Sequence, residues 1–443
     1  MKYLRQADPE IARLIKLEEK RQAETLMMIP SENIVSKAVE EALGSCLGNK
    51  YAEGYPLKRY YQGQEVVDQV ETLVIERAKK MFNVPAANVQ PLSGSPANFA
   101  VYTALLNPGD TIMGLSLAGG GHLTHGAAGN ASSRYFRAVE YDVGVNGILD
   151  YKSILKLAKK ERPKIIIAGY TAYPRFIDWK KFGHIADEVE AYFMADISHI
   201  AGLIVGGVYP SPVPYAHIIT TTTHKTLRGP RAAMILTTEK GLKKDPDLAK
   251  KIDKAIIPGL QGGPHINTIA AIGVTLKEDS TTQFRAYTKQ VVSNAMALSQ
   301  ELKHYNFNLV SGGTDSHLIL IDLRNKLILG KTGAVGLERA GIVVNANKIP
   351  FDPNPPLYPS GIRLGTPGIT SRGIKAKEMK RIANWMHQVV DNLTVTKQKL
   401  GIADELEKKR EARERIIAST KIIPLIKKEV NVFCRKFPIP KEY

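Results

Sequence analysis

Apolar residues recur along this chain with two alternating periods. Between Gln64 and Phe82, the residues Val67, Val70, Leu73, Val74, Ala78 and Met81 fall on one face at helical spacing. Helical patterns also cover Phe99 to Leu106 and Trp179 to Glu190. Interleaved with them are short runs that read as buried strands: Thr111 to Leu117, Lys164 to Ala168, Tyr192 onward to Asp196, and Ala216 to Ile219. This β-α-β-α alternation predicts an α/β fold with a mostly parallel central sheet flanked by helices. After Ala270 the pattern changes. A helix from Lys289 to Tyr305, a hairpin-like unit from Asn308 to Asp322 and an amphipathic helix from Lys375 to Leu393 predict a smaller α+β C-terminal domain, ending in a basic helical tail. At the other end, Ile11, Leu14, Ile15 and Leu17 stand at helical spacing among charges and predict an N-terminal arm. The expected division is therefore an arm over 1–28, a large domain over 29–272 and a small domain over 273–443. Two domains also suit 443 residues, because single cores stop growing near ~250–300.

Composition changes this picture little. With 44% hydrophobic and 23% charged residues the chain is an ordinary globular one. No run of ~18 apolar residues and no secretory signal pattern is present, so a cytoplasmic protein is expected. Cys46 and Cys434 are too few for a disulfide framework or a cysteine zinc site. The net charge of +18 fits either a nucleic-acid partner or an electropositive site for small anions. From Lys397 onward, 13 Lys/Arg alternate with 7 Asp/Glu, which favours a solvated helix face over a nucleic-acid arm.

Chemistry concentrates in Thr220-Thr-Thr-Thr-His-Lys-Thr-Leu-Arg-Gly-Pro-Arg231. Lys225 is expected on a turn past a strand end, where open α/β sheets keep their active groups. Among hydroxyls and beside His224, its amine is placed to form a Schiff base with an aldehyde cofactor. Asp196, also at a strand end, suits a pyridinium nitrogen; at ~4 Å and an effective dielectric of ~20 such a pair is worth at most ~4 kcal/mol, or ~3 pKa units. Read alone, Asp196 is as well explained as a helix cap or salt bridge, and His199 as a core histidine. Ser93-Gly94-Ser95 opens a helix whose N–H groups and dipole suit a phosphate, although Ser-Gly turns cap many helices. Glycines 262 and 263 form a turn able to bind an anion. Arg363 has the planar fork that grips a carboxylate. The pair His122 and His125 lies in a glycine-rich loop with no accompanying Glu, so no metal site is expected.

Taken together and in this order, these segments resemble serine hydroxymethyltransferase, a pyridoxal phosphate-dependent family of fold type I, over about residues 31–373. The resemblance implies that Lys225 carries pyridoxal 5'-phosphate. Ser93, Gly94, Ser95, His122, Thr171, Asp196, His199 and Thr222 then serve the cofactor, with His122 flat against its ring. In the tyrosine-rich loop Asn49 to Tyr61, it implies an acid/base role for Glu53, a catalytic role for Tyr61, as for His224 next to the lysine, and a reach by Tyr51 to the neighbouring subunit's phosphate. Gly262 and Gly263 serve that neighbour too. Ser31 and Arg363 would meet the amino acid's carboxylate, although Ser31 alone reads as a helix cap. Leu117, Gly121, Leu123 and Asn347 would meet a pterin.

The implied activity is reversible transfer of the serine hydroxymethyl carbon to a reduced pterin, leaving glycine, in a homodimer or larger assembly with shared sites. Four positions depart from the family pattern. Pro30 replaces an alanine, Gln62 a glycine and Thr171 a serine; Ile257 replaces an aromatic residue that usually touches the aryl part of folate. The last leaves the carrier open between tetrahydrofolate and a modified pterin. A pterin-independent aldolase of β-hydroxy amino acids is the alternative enzyme. An RNA-binding protein on an enzyme scaffold is the alternative from another class, but no aromatic-basic RNA motif supports nucleic acid as the main partner.

Overall fold

A computed structural model describes residues 2–440. The chain forms two compact units: residues 33–292 with 314–317, and residues 2–32, 293–313 and 318–440. The expected boundary at 272/273 thus lies earlier than the division found between Val292 and Ser293, and the N-terminal residues group with the C-terminal unit.

In the first unit seven strands form one sheet: β1 (Ala86–Asn88), β2 (Thr111–Leu115), β3 (Arg137–Tyr141), β4 (Ile165–Gly169), β5 (Tyr192–Asp196), β6 (Ile218–Thr222) and β7 (Ala233–Thr237). Their order is β1-β7-β6-β5-β4-β2-β3; the five from β3 to β6 are parallel and β7 runs antiparallel to both neighbours. Strand residues alternate between two apolar layers. Ile166, Ala168, Phe193, Ala195 and Ile219 enter one core, while Ile165, Ile167, Met194 and Ile218 enter the other. Burial on both faces explains why these strands are continuous apolar runs rather than alternating ones.

Helices α1 (Glu65–Phe82), α2 (Gly94–Leu105), α3 (Ile266–Asp279) and the first part of α4 (Thr282–His304) belong to this unit. Three boundaries and one buried face differ from expectation. β6 continues to Thr222, because the threonines 220 to 222 pair with β7. β2 stops at Leu115, two residues short, and α4 starts seven residues before Lys289. On α1, Leu73 is half-exposed, whereas Glu71 is buried. That carboxylate is held by the buried Arg59, whose guanidinium also binds Asp68 and donates to the carbonyls of Ala52 and Gly54.

The second unit contains an antiparallel sheet of β8 (Asn308–Leu309), β9 (Leu318–Asp322), β10 (Asn345–Asn347) and β11 (Gly361–Gly365), ordered β8-β9-β11-β10. The tail is part of its core: Ile416, Ile426, Val430, Phe433 and Cys434 are buried with Trp385 and Leu337. Arg372, 4% exposed, ties both chain ends together by donating to the carbonyls of Gln22, Ala23, Thr25, Cys434 and Phe437. The arm helix Pro9–Glu24 instead leaves Ile11, Leu14, Ile15 and Leu17 exposed.

Replacing Arg372 with Ala strands several buried carbonyls at once. We expect a loss of roughly 3–5 kcal/mol, by analogy with other broken buried polar networks. Urea unfolding measures it; a midpoint equal to that of the parent chain would contradict the role given to Arg372.

Candidate active site

The register of the parallel strands brings their C-terminal ends level: Gly169 faces Asp196, and Asp196 faces Thr220. Asp196 is buried and its carboxylate is enclosed by donors. Oδ2 accepts from Asn98 Nδ2 at 3.0 Å and lies 3.1 Å from His125 Nε2, while Oδ1 accepts the Ser198 N–H at 3.1 Å. Burial alone would push this carboxyl up. The His125 ring, followed by His122 and Asn98, more than offsets that and holds it well below the usual carboxylate range.

The loop between β2 and β3 supplies both histidines through a reciprocal turn. The His122 N–H reaches His125 Nδ1 at 3.3 Å, and His122 Nδ1 accepts the Thr124 N–H at 3.2 Å. Thr124 is pinned from α2, where Asn98 donates to its hydroxyl at 2.8 Å and Tyr102 to its carbonyl at 2.9 Å. Burial, with the charges of His125 and Lys225, pushes the His122 imidazole down to about 4. It is therefore a neutral ring at pH 7. Gly121 cannot be replaced here, because a Cβ would stand 1.9 Å from the Leu115 carbonyl oxygen. Thr171 follows β4, and its hydroxyl donates to the Gly121 carbonyl at 3.1 Å. Leu117 and Leu123 are exposed apolar side chains on the same loop.

Lys225 follows β6 on a turn fixed from several directions. Its carbonyl accepts from Asn33 Nδ2 at 2.9 Å and from the Arg228 N–H at 3.2 Å; Arg228 has φ +58°. Thr223 closes the turn by donating to the Pro230 carbonyl, and Thr226 donates to the His199 carbonyl at 3.1 Å. His199 stacks on His317 with centroids 5.6 Å apart. Thr222 receives its own support from Ser198, whose hydroxyl accepts the Thr222 N–H at 3.1 Å. Burial, then the charges of Lys225 and Arg231, push His224 down to about 3.

Helix α2 begins at Gly94. Ser93, its cap residue, makes no side-chain capping bond, so the first helical N–H groups are not used by it. Gly94 lies against Thr222: a Cβ at residue 94 would come within 2.8 Å of Thr222 Cγ2. Ser95 is exposed one residue on.

A second group gathers Tyr51, Glu53, Tyr61, Gly262 and Gly263. Tyr51 donates to Glu53 Oε1 at 3.3 Å and its ring meets Tyr61 edge-on at 5.4 Å. A Cβ on Gly262 would lie 3.1 Å from Glu53 Oε1, and one on Gly263 would lie 3.2 Å from Tyr51. Ile257 is buried in an apolar cluster with Ile252 and Ile256.

In the other unit, Arg363 lies on β11 opposite Asn345, whose Oδ1 accepts from its Nε at 2.9 Å. Burial pushes the guanidinium down to about 10, which leaves it charged at pH 7. Asn347 lies on the same edge strand, opposite Gly361, with its amide donating to the Lys348 carbonyl. Ser31 lies in a turn and is not a helix cap; the following helix is capped by Ser36, which accepts the Val39 N–H.

The serine hydroxymethyltransferase family model matches residues 4–386. The chain belongs to that family. Similar proteins named serine hydroxymethyltransferase include one from Desulfotalea psychrophila, 52% identical over 99% of this chain and 96% of its own length. Another, from Acidothermus cellulolyticus, is 56% identical over 86% of this chain and 88% of its own; one from Sorangium cellulosum is 51% identical over 99% and 97%.

The family is pyridoxal phosphate-dependent, and the donor set in the first unit fits that group. It offers a lysine amine for the aldehyde, an ionised buried carboxylate for the ring nitrogen, a neutral imidazole for the ring face and an uncapped helix start for the phosphate. Sequence reasoning missed several of this family member's supporting residues. Asn98, His125, Ser198 and Asn33 each make a hydrogen bond to a segment distant in sequence, which no local pattern announces. For His125 the spacing of three from His122 was the available signal.

Three histidines are held neutral by burial: His122 at about 4, His217 at about 4 and His224 at about 3, against 6.5 in the unfolded chain. The unfolded chain therefore takes up protons first as pH falls. Their contribution is complete above pH 6.5 and is lost progressively toward pH 4, by at most about 2 kcal/mol per histidine at pH 5. Urea midpoints should fall between pH 7.5 and 5; a flat profile would contradict this.

Proposed function

We propose that this chain catalyses the reversible transfer of the hydroxymethyl carbon of serine to a reduced pterin, with glycine as the other product, and that Lys225 carries the cofactor. The observation that bears most on this reading is Asp196, kept ionised while buried one strand away from the lysine strand. When bound, pyridoxal phosphate supplies an aldehyde for amines and an electron sink for the carbanion at the amino acid's α carbon.

The protein's residues then divide the work. Asp196 holds a proton on the ring nitrogen, with His125 and Asn98 keeping its carboxylate in place. His122 lends a flat neutral face, and Thr171, His199 and Thr222 line the remaining edges. Ser93, Gly94 and Ser95 give the phosphate N–H and hydroxyl donors at a positive helix end. Lys225 presents its amine from a turn whose backbone cannot swing, with His224 beside it. Arg363 and Ser31 hold the substrate carboxylate, and the charged fork of Arg363 sets its orientation. Glu53, with Tyr61 near it, moves the proton of the serine hydroxyl. Leu117, Gly121, Leu123 and Asn347 receive the pterin, and tetrahydrofolate is the carrier we assign.

We also place Tyr51, Gly262 and Gly263 at a neighbour's phosphate, in a homodimer or larger assembly. The exposed apolar face of the arm helix and the gathering of these residues in a second group support that reading. Among the described residues no helix is long and apolar enough to cross a membrane, and both cysteines are free thiols, so we place the protein in the cytoplasm.

Glycine formation from serine should depend on tetrahydrofolate. Cleavage of serine at the same rate without any pterin would favour the aldolase reading instead. Arg363→Lys should raise the KM for serine about tenfold or more, the equivalent of one charge-assisted hydrogen bond of about 1.5–3 kcal/mol. An unchanged KM would remove Arg363 from the carboxylate site. Finally, mixing Lys225→Ala with Tyr51→Ala chains under exchange should restore activity, because one site of each mixed dimer carries neither change. No recovery in mixed dimers shown to have formed would place Tyr51 at its own chain's site.

A further inference from the structure

Apart from these groups, a cavity of about 540 Å³ opens among α1, α3 and the start of α4. Its volume is typical of small-molecule sites, which run from ~300 to ~1,000 Å³. Four cations line it: Arg77 and Lys80 from α1, Lys277 from α3 and Arg285 from α4. None is paired with a carboxylate among the described residues, although Lys79, next to Lys80, binds Glu76 at 2.7 Å. Lysines and arginines on a mixed-charge surface ordinarily sit near acids; four converging on one concavity leave a positive field unanswered.

Two features distinguish this cavity from a basic surface patch. Arg77 is half-buried and its Nη1 donates to the Gly273 carbonyl at 2.7 Å, so its guanidinium is held rather than free to wander. Asp279, 2% exposed, also lines the cavity, and its Oδ2 has no hydrogen-bond partner. Burial raises that carboxyl well above its ordinary range, against the opposing charge of Arg228 and with that of Glu278. A carboxyl that keeps its proton is a donor rather than a repelling charge. The rest of the lining is the apolar Met81, Val205 and Leu276, with the hydroxyl-bearing Ser280 next to Asp279.

We propose that this cavity binds a small organic phosphate, its dianion held by Arg77, Lys80, Lys277 and Arg285 and its apolar or aromatic body lying against Met81, Val205 and Leu276. The mixed lining separates this ligand from a bare inorganic anion. Its concave shape and four-cation perimeter fit one phosphate group rather than a polymer backbone.

Phenyl phosphate, titrated by calorimetry into the cofactor-loaded full chain, carries both chemical features. It should bind with a stoichiometry of one per chain and more tightly than inorganic phosphate. A cation ~6 Å from a dianion in water is worth about a tenfold factor. The double variant K80A/K277A should therefore weaken binding by roughly ten- to a hundredfold. The cofactor's visible absorbance should not change, since neither lysine belongs to the cofactor group. Equal affinity of the variant and the parent, no saturable binding to the parent, or equal affinity for inorganic phosphate would each overturn the proposal.

Discussion

A buried negative charge governs the architecture of the unit built on the seven-stranded sheet. Removing a carboxylate from water costs several kcal/mol unless donors replace its hydration. Asp196 obtains those donors from three places in the chain: an amide on α2, an imidazole from the loop after β2, and the backbone just past β5. Each must arrive within about an ångström for the charge to be tolerated. The parallel register, the reciprocal histidine turn and the Asn98–Thr124–Tyr102 contacts can all be understood as meeting that requirement. The result is a charge that keeps its ionised form without solvent, ready for a cationic ring nitrogen.

Close approach is the second constraint, and small residues satisfy it. Gly121 lets the histidine loop fold back onto β2, and Gly94 lets the start of α2 pack against Thr222 at the end of β6. A methyl group at either place would collide before the loop or helix could reach its position. The positively charged turn at Lys225 is treated differently: it is locked by side-chain bonds from Asn33, Thr223 and Thr226. Rigid backbone there fixes where the amine emerges, which matters because positioning accounts for much of the advantage of an enzyme over free reactants.

Much of this was legible in sequence, for identifiable reasons. The strands at 165–169 and 192–196 are apolar on both faces, so their runs are unbroken and easy to read. The residues that would face a cofactor sit in short continuous motifs, which is why Lys225, Asp196 and His122 stood out. What escaped reading was longer in range. The strand read as ending at Ile219 continues through Thr220 to Thr222, because pairing with β7 outweighs the polar side chains. The arm was legible as an amphipathic helix, but its exposed Ile11 and Leu14 show that periodicity reports amphipathicity and not what covers the face. The tail, read as a basic appendage, inserts Ile426, Val430 and Phe433 into a core that charge counting cannot see. Arg372 gave no signal at all, as it binds carbonyls from both ends of the chain brought together only by folding.

The central claim is that Lys225, and no other of the chain's lysines, joins the cofactor. Reducing the pyridoxal phosphate-loaded protein with borohydride fixes that linkage, and peptide mass spectrometry then locates it. We expect a cofactor-derived mass on the peptide containing Lys225. A modification on a different lysine, with Lys225 unmodified, would contradict it.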